Sequence, residues 1–267
     1  MASENWVRSA SRAVTPARID TSAPNPARVW DSMNGGHDNF ETDRTVAKSL
    51  VTAVPELAQA LPAVQGFYGR VARLAGQAGI RQFLDISMGL RAASSMHAAA
   101  RAVAPGSRFV LVAHDPMVLS HTRATLRSSA EDTVSCVDAD PLDIDSVLRA
   151  VGGILDLAEP VAAFMSDTLI FLQDALGVVA RLAAAVPSGS YLAVIQGDER
   201  LAQVARRWNN SVPFPVYLRG PGKVAEWFAG LDLLEPGVVE IPRWRPAPDD
   251  PEYPRGLPLL GAVARRP

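Results

Sequence analysis

The chain has 267 residues, 48% of them hydrophobic and 20% charged, and its 26 Lys and Arg nearly balance its 28 Asp and Glu. Such a composition supports one large globular domain or two small ones, and the balanced charge leaves no electrostatic footprint for nucleic acid or an anionic membrane. A single cysteine, Cys136, excludes an intramolecular disulfide framework and fits a reducing cytoplasm, and no uncharged apolar run approaches the roughly 20 residues of a membrane helix.

Residues 1–19 carry Arg and Ser without the apolar core of a secretory signal and read as a disordered arm. Pro16, Pro24 and Pro26 predict an extended first segment. A polar stretch follows from Arg28 to Arg44, with Gly35-Gly36 at its centre. From Val46 to Ala78 the apolar spacing is helical, with breaks expected at Pro55 and Pro62. Residues 20–80 thus form a helical N-terminal lid. The remainder, 81–267, alternates short apolar runs with helices. The runs are Gln82–Ile86, Arg108–Ala113, Thr133–Val137, Val161–Ser166 and Ser190–Ile195; the helices between them are Ala93–Val103, Pro116–Ser129, Ile144–Val151 and Asp174–Val186. Alternation at this spacing predicts right-handed crossovers and a mostly parallel sheet with helices on both faces. Two more helices, Arg200–Trp208 and Pro221–Gly230, precede Val238–Ile241 and Leu259–Ala264, which pair as an antiparallel edge. There is no repeat and no interior linker, so lid and core make one α/β, Rossmann-like domain.

In a doubly wound sheet, ligands sit at the carboxyl ends of the strands, beside the first one. That places the loop Asp85-Ile86-Ser87-Met88-Gly89-Leu90-Arg91 over the main cleft. The run Phe83-Leu84-Asp85 to Gly89, then Val112-Ala113-His114-Asp115-Pro116 and Val137-Asp138-Ala139-Asp140, resembles an actinobacterial family of S-adenosylmethionine methyltransferases, long catalogued as a domain of unknown function. So do Pro26-Ala27-Arg28-Val29-Trp30-Asp31, Gly35-Gly36-His37-Asp38-Asn39-Phe40, Asp43-Arg44 and the late Ile241-Pro242-Arg243-Trp244-Arg245-Pro246. The resemblance spans roughly residues 20–264 and implies a class I methyltransferase-like fold.

The cofactor loop departs from that family's pattern of Asp-x-Gly-x-Gly followed by Leu-Pro. Asp85 and Gly89 remain, but Ser87 replaces the first glycine and Arg91 the proline. A side chain at 87 narrows the approach of a ligand to the backbone. The acid that holds the ribose hydroxyls falls at Ala113, which accepts no hydrogen bond, and a guanidinium at Arg91 opposes a sulfonium. Asp85, Gly89, Ala113 and Asp138 therefore read as a vestigial cofactor site, with no cofactor as the expectation and S-adenosylmethionine as the alternative.

Several residues carry two readings. Arg91, with Ser87 and with Ser94 in the first turn of the next helix, makes an anion cradle at a helix N-terminus, or is a solvated surface arginine. His114 is a base or clamp, or simply exposed. Asp115 is a base, or caps the helix that starts at Pro116. Asp167 ends a strand at the cleft and acts on substrate, or caps the next helix. His37, Asp38 and Asn39, turned by two glycines, hold substrate with Arg28, or form a structural turn in which Asp38 or Asp43 meets Arg28 or Arg44. Four scattered histidines and one cysteine offer no metal site.

Three functions are compatible with these residues. The first is an enzyme without S-adenosylmethionine that closes a ring in actinobacterial antibiotic biosynthesis, expelling sulfate. In kind it resembles the methyltransferase-like proteins of azinomycin-type pathways, which form an aziridine with a small partner protein. The second is an S-adenosylmethionine-dependent methyltransferase, and the third a non-catalytic scaffold. The expected substrate is a small molecule, free or on a carrier protein, and a homo-oligomer or a small protein partner is expected to complete the pocket.

Overall fold

The computed structural model describes residues 19–88, 93–127, 134–248, 250–253 and 256–267. The expected arm therefore lies outside the described residues almost entirely.

The lid begins with a helix where an extended segment was expected. Helix α1 spans Pro26–Met33, capped by the Asn25 side chain, which accepts from the Ala27 N–H at 2.9 Å. Pro26 sits at the first helical position, where its missing N–H costs nothing and its fixed φ suits the helix. Helix α2 (Glu41–Ala53) stops before Pro55, as the sequence predicts, and a 3-10 turn (Pro55–Gln59) leads into α3 (Ala60–Gln77). Pro62 does not break α3, because it lies in the first turn, whose N–H groups have no intrahelical partner.

The core then alternates β1 (Gln82–Ile86), α4 (Ala93–Val103), β2 (Arg108–Ala113), α5 (Pro116–Arg127), β3 (Val134–Asp138), α6 (Ile144–Val151), β4 (Ala162–Met165), α7 (Ala175–Ala185) and β5 (Tyr191–Gly197). Helices α8 (Ala202–Ser211) and α9 (Pro221–Glu226) precede the short strands β6 (Asp232–Leu233) and β7 (Val239–Glu240), and β8 (Leu259–Arg265) closes the chain. Strand order among the described residues is β3-β2-β1-β4-β5-β8-β6, parallel through β5, with β8 antiparallel to β5. The edge is antiparallel as expected, but both β6 and β7 pair with β8, at its two ends.

Side chains alternate between two cores. Phe83, Phe109, Phe164, Ala193 and Ile195 face α2, α3, α4 and α8, whereas Leu84, Val110, Ala163, Met165 and Val194 face α6, α7 and α9. Right-handed crossovers account for this division. The chain moves outward from β1 to β3, then returns past β1 to β4 and β5, so the later helices fall on the opposite face. The reversal separates the ends of β1 and β4, and that gap is where a ligand fits.

Two buried arginines fasten the lid. Arg28, 3% exposed, donates from Nε to Asp43 at 2.9 Å and from Nη2 to the carbonyls of Asp20 and Ala23. Arg70 donates to the carbonyls of Trp244 and Ile241 and pairs with Asp250. Long cationic side chains are tolerated inside only when their donors are taken up in this way.

Candidate active site

The gap between β1 and β4 is lined by the residues just past the end of each strand. Asp85 pairs in register with Phe164. Beyond the strands, the Met88 N–H donates to Asp167 Oδ1 at 2.7 Å and the Thr168 hydroxyl to the Ile86 carbonyl at 2.7 Å. These two bonds hold the loop ends together where the strands diverge. From α3, the fully buried Tyr68 sets its ring edge against Phe164 and donates its hydroxyl to Asp85 Oδ1 at 3.2 Å. Ser87 Oγ lies 3.4 Å from the other oxygen of Asp85.

Two acids therefore share a poorly solvated space. Burial pushes the Asp85 carboxyl up to about 7, and the charge of Asp167 adds to the effect, while the bonds from Tyr68 and Ser87 oppose it. Burial likewise raises Asp167 to about 6, against the Met88 N–H, which favours the charged form. Burial and the nearby Asp85 also hold the Tyr68 hydroxyl well above its ordinary range. Among the described residues, neither acid has a cationic side chain as a hydrogen-bonding partner.

Asp167 opens onto a cavity of about 120 Å³ between the lid and the sheet. Trp30 and Met33 of α1, Leu50 of α2, Phe171 of the 3-10 turn Leu169–Phe171 and Trp208 of α8 supply apolar walls, and Ser166 and Asp167 are polar at one end. Asp167 is the only charged residue among its described lining. Gly197, at the end of β5, keeps the wall close: a Cβ there would meet Ile170 Cδ1 at 2.8 Å and Leu218 Cδ2 at 3.0 Å.

The structure brings Asp85, Ser87 and Asp167 together at this site, and it places the other sequence-derived candidates elsewhere. Asp115 caps α5, accepting from the Met117 and Val118 N–H groups at 2.8 and 3.2 Å. His114 is exposed, with Nδ1 3.1 Å from Asp138. Ala113 is buried beside Ala27, Val118 and Leu119. The guanidinium of Arg28 points inward to Asp43, away from the cavity. The Gly35-Gly36 segment wraps a carboxylate: Asp31 Oδ2 accepts from the Asp38 N–H at 2.8 Å and from Asn39 Nδ2 at 2.9 Å. A Cβ at Gly36 would sit 2.0 Å from Asp31 Oδ1, so only glycine fits. His37 is exposed, and none of His37, Asp38 and Asn39 lines the cavity. Arg91 and Gly89 lie outside the described residues, as does the side chain of Ser94. Sequence reasoning missed Tyr68, treating it as one more apolar position of α3. A tyrosine on a buried helical face needs a partner for its hydroxyl, and that requirement was the available signal.

The residues fit one end of S-adenosylmethionine better than the other. A buried and a half-buried acid without a described counter-cation suit a ligand that brings positive charge. At the end of β2, the Ala113 side chain offers no acceptor for a ribose hydroxyl; His114 follows it and Asp138 is its register partner on β3. Among the described residues, no group of three or more His, Cys, Asp or Glu side chains is placed to hold a metal ion, and no helix is long and apolar enough to cross a membrane.

The strand order, the antiparallel last strand and a ligand gap beside β1 define a class I methyltransferase fold. An O-methyltransferase family protein from Burkholderia thailandensis shares it with a TM-score of 0.52 at 15% identity, over 84% of this chain and 58% of that one. The sequence matches the S-adenosyl methyltransferase family over residues 12–267, and the chain belongs to that family. A DUF574 family protein from Streptomyces avermitilis is 37% identical, with a TM-score of 0.84 over 94% of this chain and 100% of that one. A protein from Thermobifida fusca is 32% identical, with a TM-score of 0.84 over 95% and 99%. No curated protein matches the sequence.

Proposed function

We propose that this chain transfers a methyl group from S-adenosylmethionine to a small, largely apolar acceptor held between lid and sheet. Membership of the family supports the cofactor. The observation that carries the reading is the Asp85–Asp167 pair, with Asp85 buried behind and Asp167 at the polar end of the cavity, which a positively charged ligand stabilises. Asp85, with Ser87, would hold the cationic end of the cofactor, and His114 and Asp138 would flank its ribose. The cofactor supplies an electrophilic methyl group on a positively charged sulfur. The chain's own part is to orient the acceptor against apolar walls, to exclude water and to offer Asp167 as a proton acceptor.

Ring closure with loss of sulfate has less support. It needs cations facing the departing oxygens, and the described polar lining of the cavity presents a carboxylate instead. Arg91, with Ser87, Ser94 and the start of α4, carried that reading, and Arg91 and the Ser94 side chain lie outside the described residues. A place in actinobacterial antibiotic biosynthesis, with the acceptor free or on a carrier protein, belongs to the same proposal and is tested by the neighbouring genes. Titration calorimetry with S-adenosylmethionine is expected to show saturable binding, strengthened by Ala113→Asp. No binding at sub-millimolar concentration would overturn methyl transfer and restore a cofactor-free reaction.

A further inference from the structure

We infer that the acceptor is an apolar amine, bound as its ammonium with the nitrogen on Asp167 and the hydrocarbon part between Trp30, Met33, Phe171 and Trp208. The inference rests on the methyl-transfer reading for the reaction, but not for the binding. An otherwise apolar cavity with one carboxylate at its end selects for a single cationic group on an apolar body. Asp167 Oδ1 is occupied by the Met88 N–H and the Ser166 hydroxyl, which fix the carboxylate's orientation. No described side chain donates to its other oxygen. A hydroxyl could donate to that oxygen but would bring no charge, and a carboxylate would be repelled in a space where burial weakens screening.

The same residue completes the chemistry. The ammonium passes one proton to the Asp167 carboxylate, which becomes a neutral acid, and the amine gains its lone pair. That lone pair forms the nitrogen–carbon bond to the methyl group as the carbon–sulfur bond breaks, its electron pair remaining on sulfur. Burial has already raised Asp167 toward neutrality, so it is a better proton acceptor than an exposed aspartate.

The test uses the whole chain and three probes of one shape: 4-phenylbutylamine, 4-phenylbutanol and 4-phenylbutyrate, titrated calorimetrically at pH 7.5. The amine is expected to bind at least tenfold more tightly than the alcohol, with no saturable binding of the acid. In Asp167→Asn the preference for amine over alcohol should fall below threefold while the alcohol binds as before. Equal binding of amine and alcohol by the wild-type chain would overturn the inference, and so would preferred binding of the acid, which would assign the cavity's charge to a cation such as Arg91. Separate titration with S-adenosylmethionine distinguishes the two proposals. Cofactor binding without amine preference sinks the amine alone; amine preference without cofactor binding leaves the amine site standing and removes methyl transfer.

Discussion

Asp85→Asn is expected to stabilise the ligand-free protein, by an amount that grows with pH. The ordinary value of the carboxyl is 3.8, and in the folded chain it is pushed up to about 7. Between those values the unfolded chain has released the proton and the folded chain still holds it. Stability therefore falls as pH rises through this window and levels off above about 7. From pH 5 to about 7 the wild-type chain loses roughly 2–3 kcal/mol, at about 1.4 kcal/mol for each pH unit. An asparagine carries no such proton. Its amide oxygen can accept from Tyr68, and its volume is nearly unchanged. Urea unfolding of both chains at pH 5 and pH 8 reads the effect as a difference of differences. The advantage of the variant should be roughly 2–3 kcal/mol larger at pH 8 than at pH 5, while S-adenosylmethionine binds it more weakly. A variant that is equally destabilised at both pH values would refute the reasoning, since it would mean that a cation, Arg91 among the candidates, already neutralises the pair.

Transfer to the acceptor should fall about tenfold per pH unit below about 6, where Asp167 takes up its proton, and level off above it; a rate flat from pH 5 to 8 would remove Asp167 as the base. Asp115→Ala should cost ~1 kcal/mol of unfolding free energy through the lost cap and leave the rate at saturating substrate unchanged, whereas a large drop in that rate would give Asp115 a part in the chemistry. Sizing by light scattering is expected to show a homo-oligomer, or a complex once a small partner protein is supplied. A monomer with full activity on its own would end that expectation.

The elements of the core were legible because each carries one clear periodicity. The predicted bounds of β1, β2, α4 and α6 coincide with those in the structure, and the other central strands shift by one or two residues. Lid errors came from reading proline as a breaker without asking where in a helix it stands. Asn25-Pro26 is a cap and a first helical residue, and Pro62 likewise occupies a first turn. The site was half legible. Topology alone puts Asp85 and Asp167 at the strand ends, but nothing in the spacing shows that they share one desolvated space, since 82 residues of sequence separate them. The apolar walls were harder still. Trp30, Leu50 and Trp208 come from three helices, and each reads in sequence as ordinary core.

Several stretches that carry the family resemblance do mechanical work. Gly35 to Phe40 folds around Asp31, Asp43 ties Arg28 to the start of α2, and Ile241 to Trp244 receives Arg70 from α3. A buried carboxylate or guanidinium must have every strong donor or acceptor met at fixed geometry, and that demand dictates particular residues over several consecutive positions. An apolar cavity makes no such demand, since many side chains of similar volume fill the same wall. The resembling motifs in this chain therefore fasten the lid, while the proposed choice of acceptor rests on residues without a motif. The single carboxylate of Asp167 is the exception, being both fixed by its neighbours and open to the cavity, and the proposed chemistry is assigned to it for that reason.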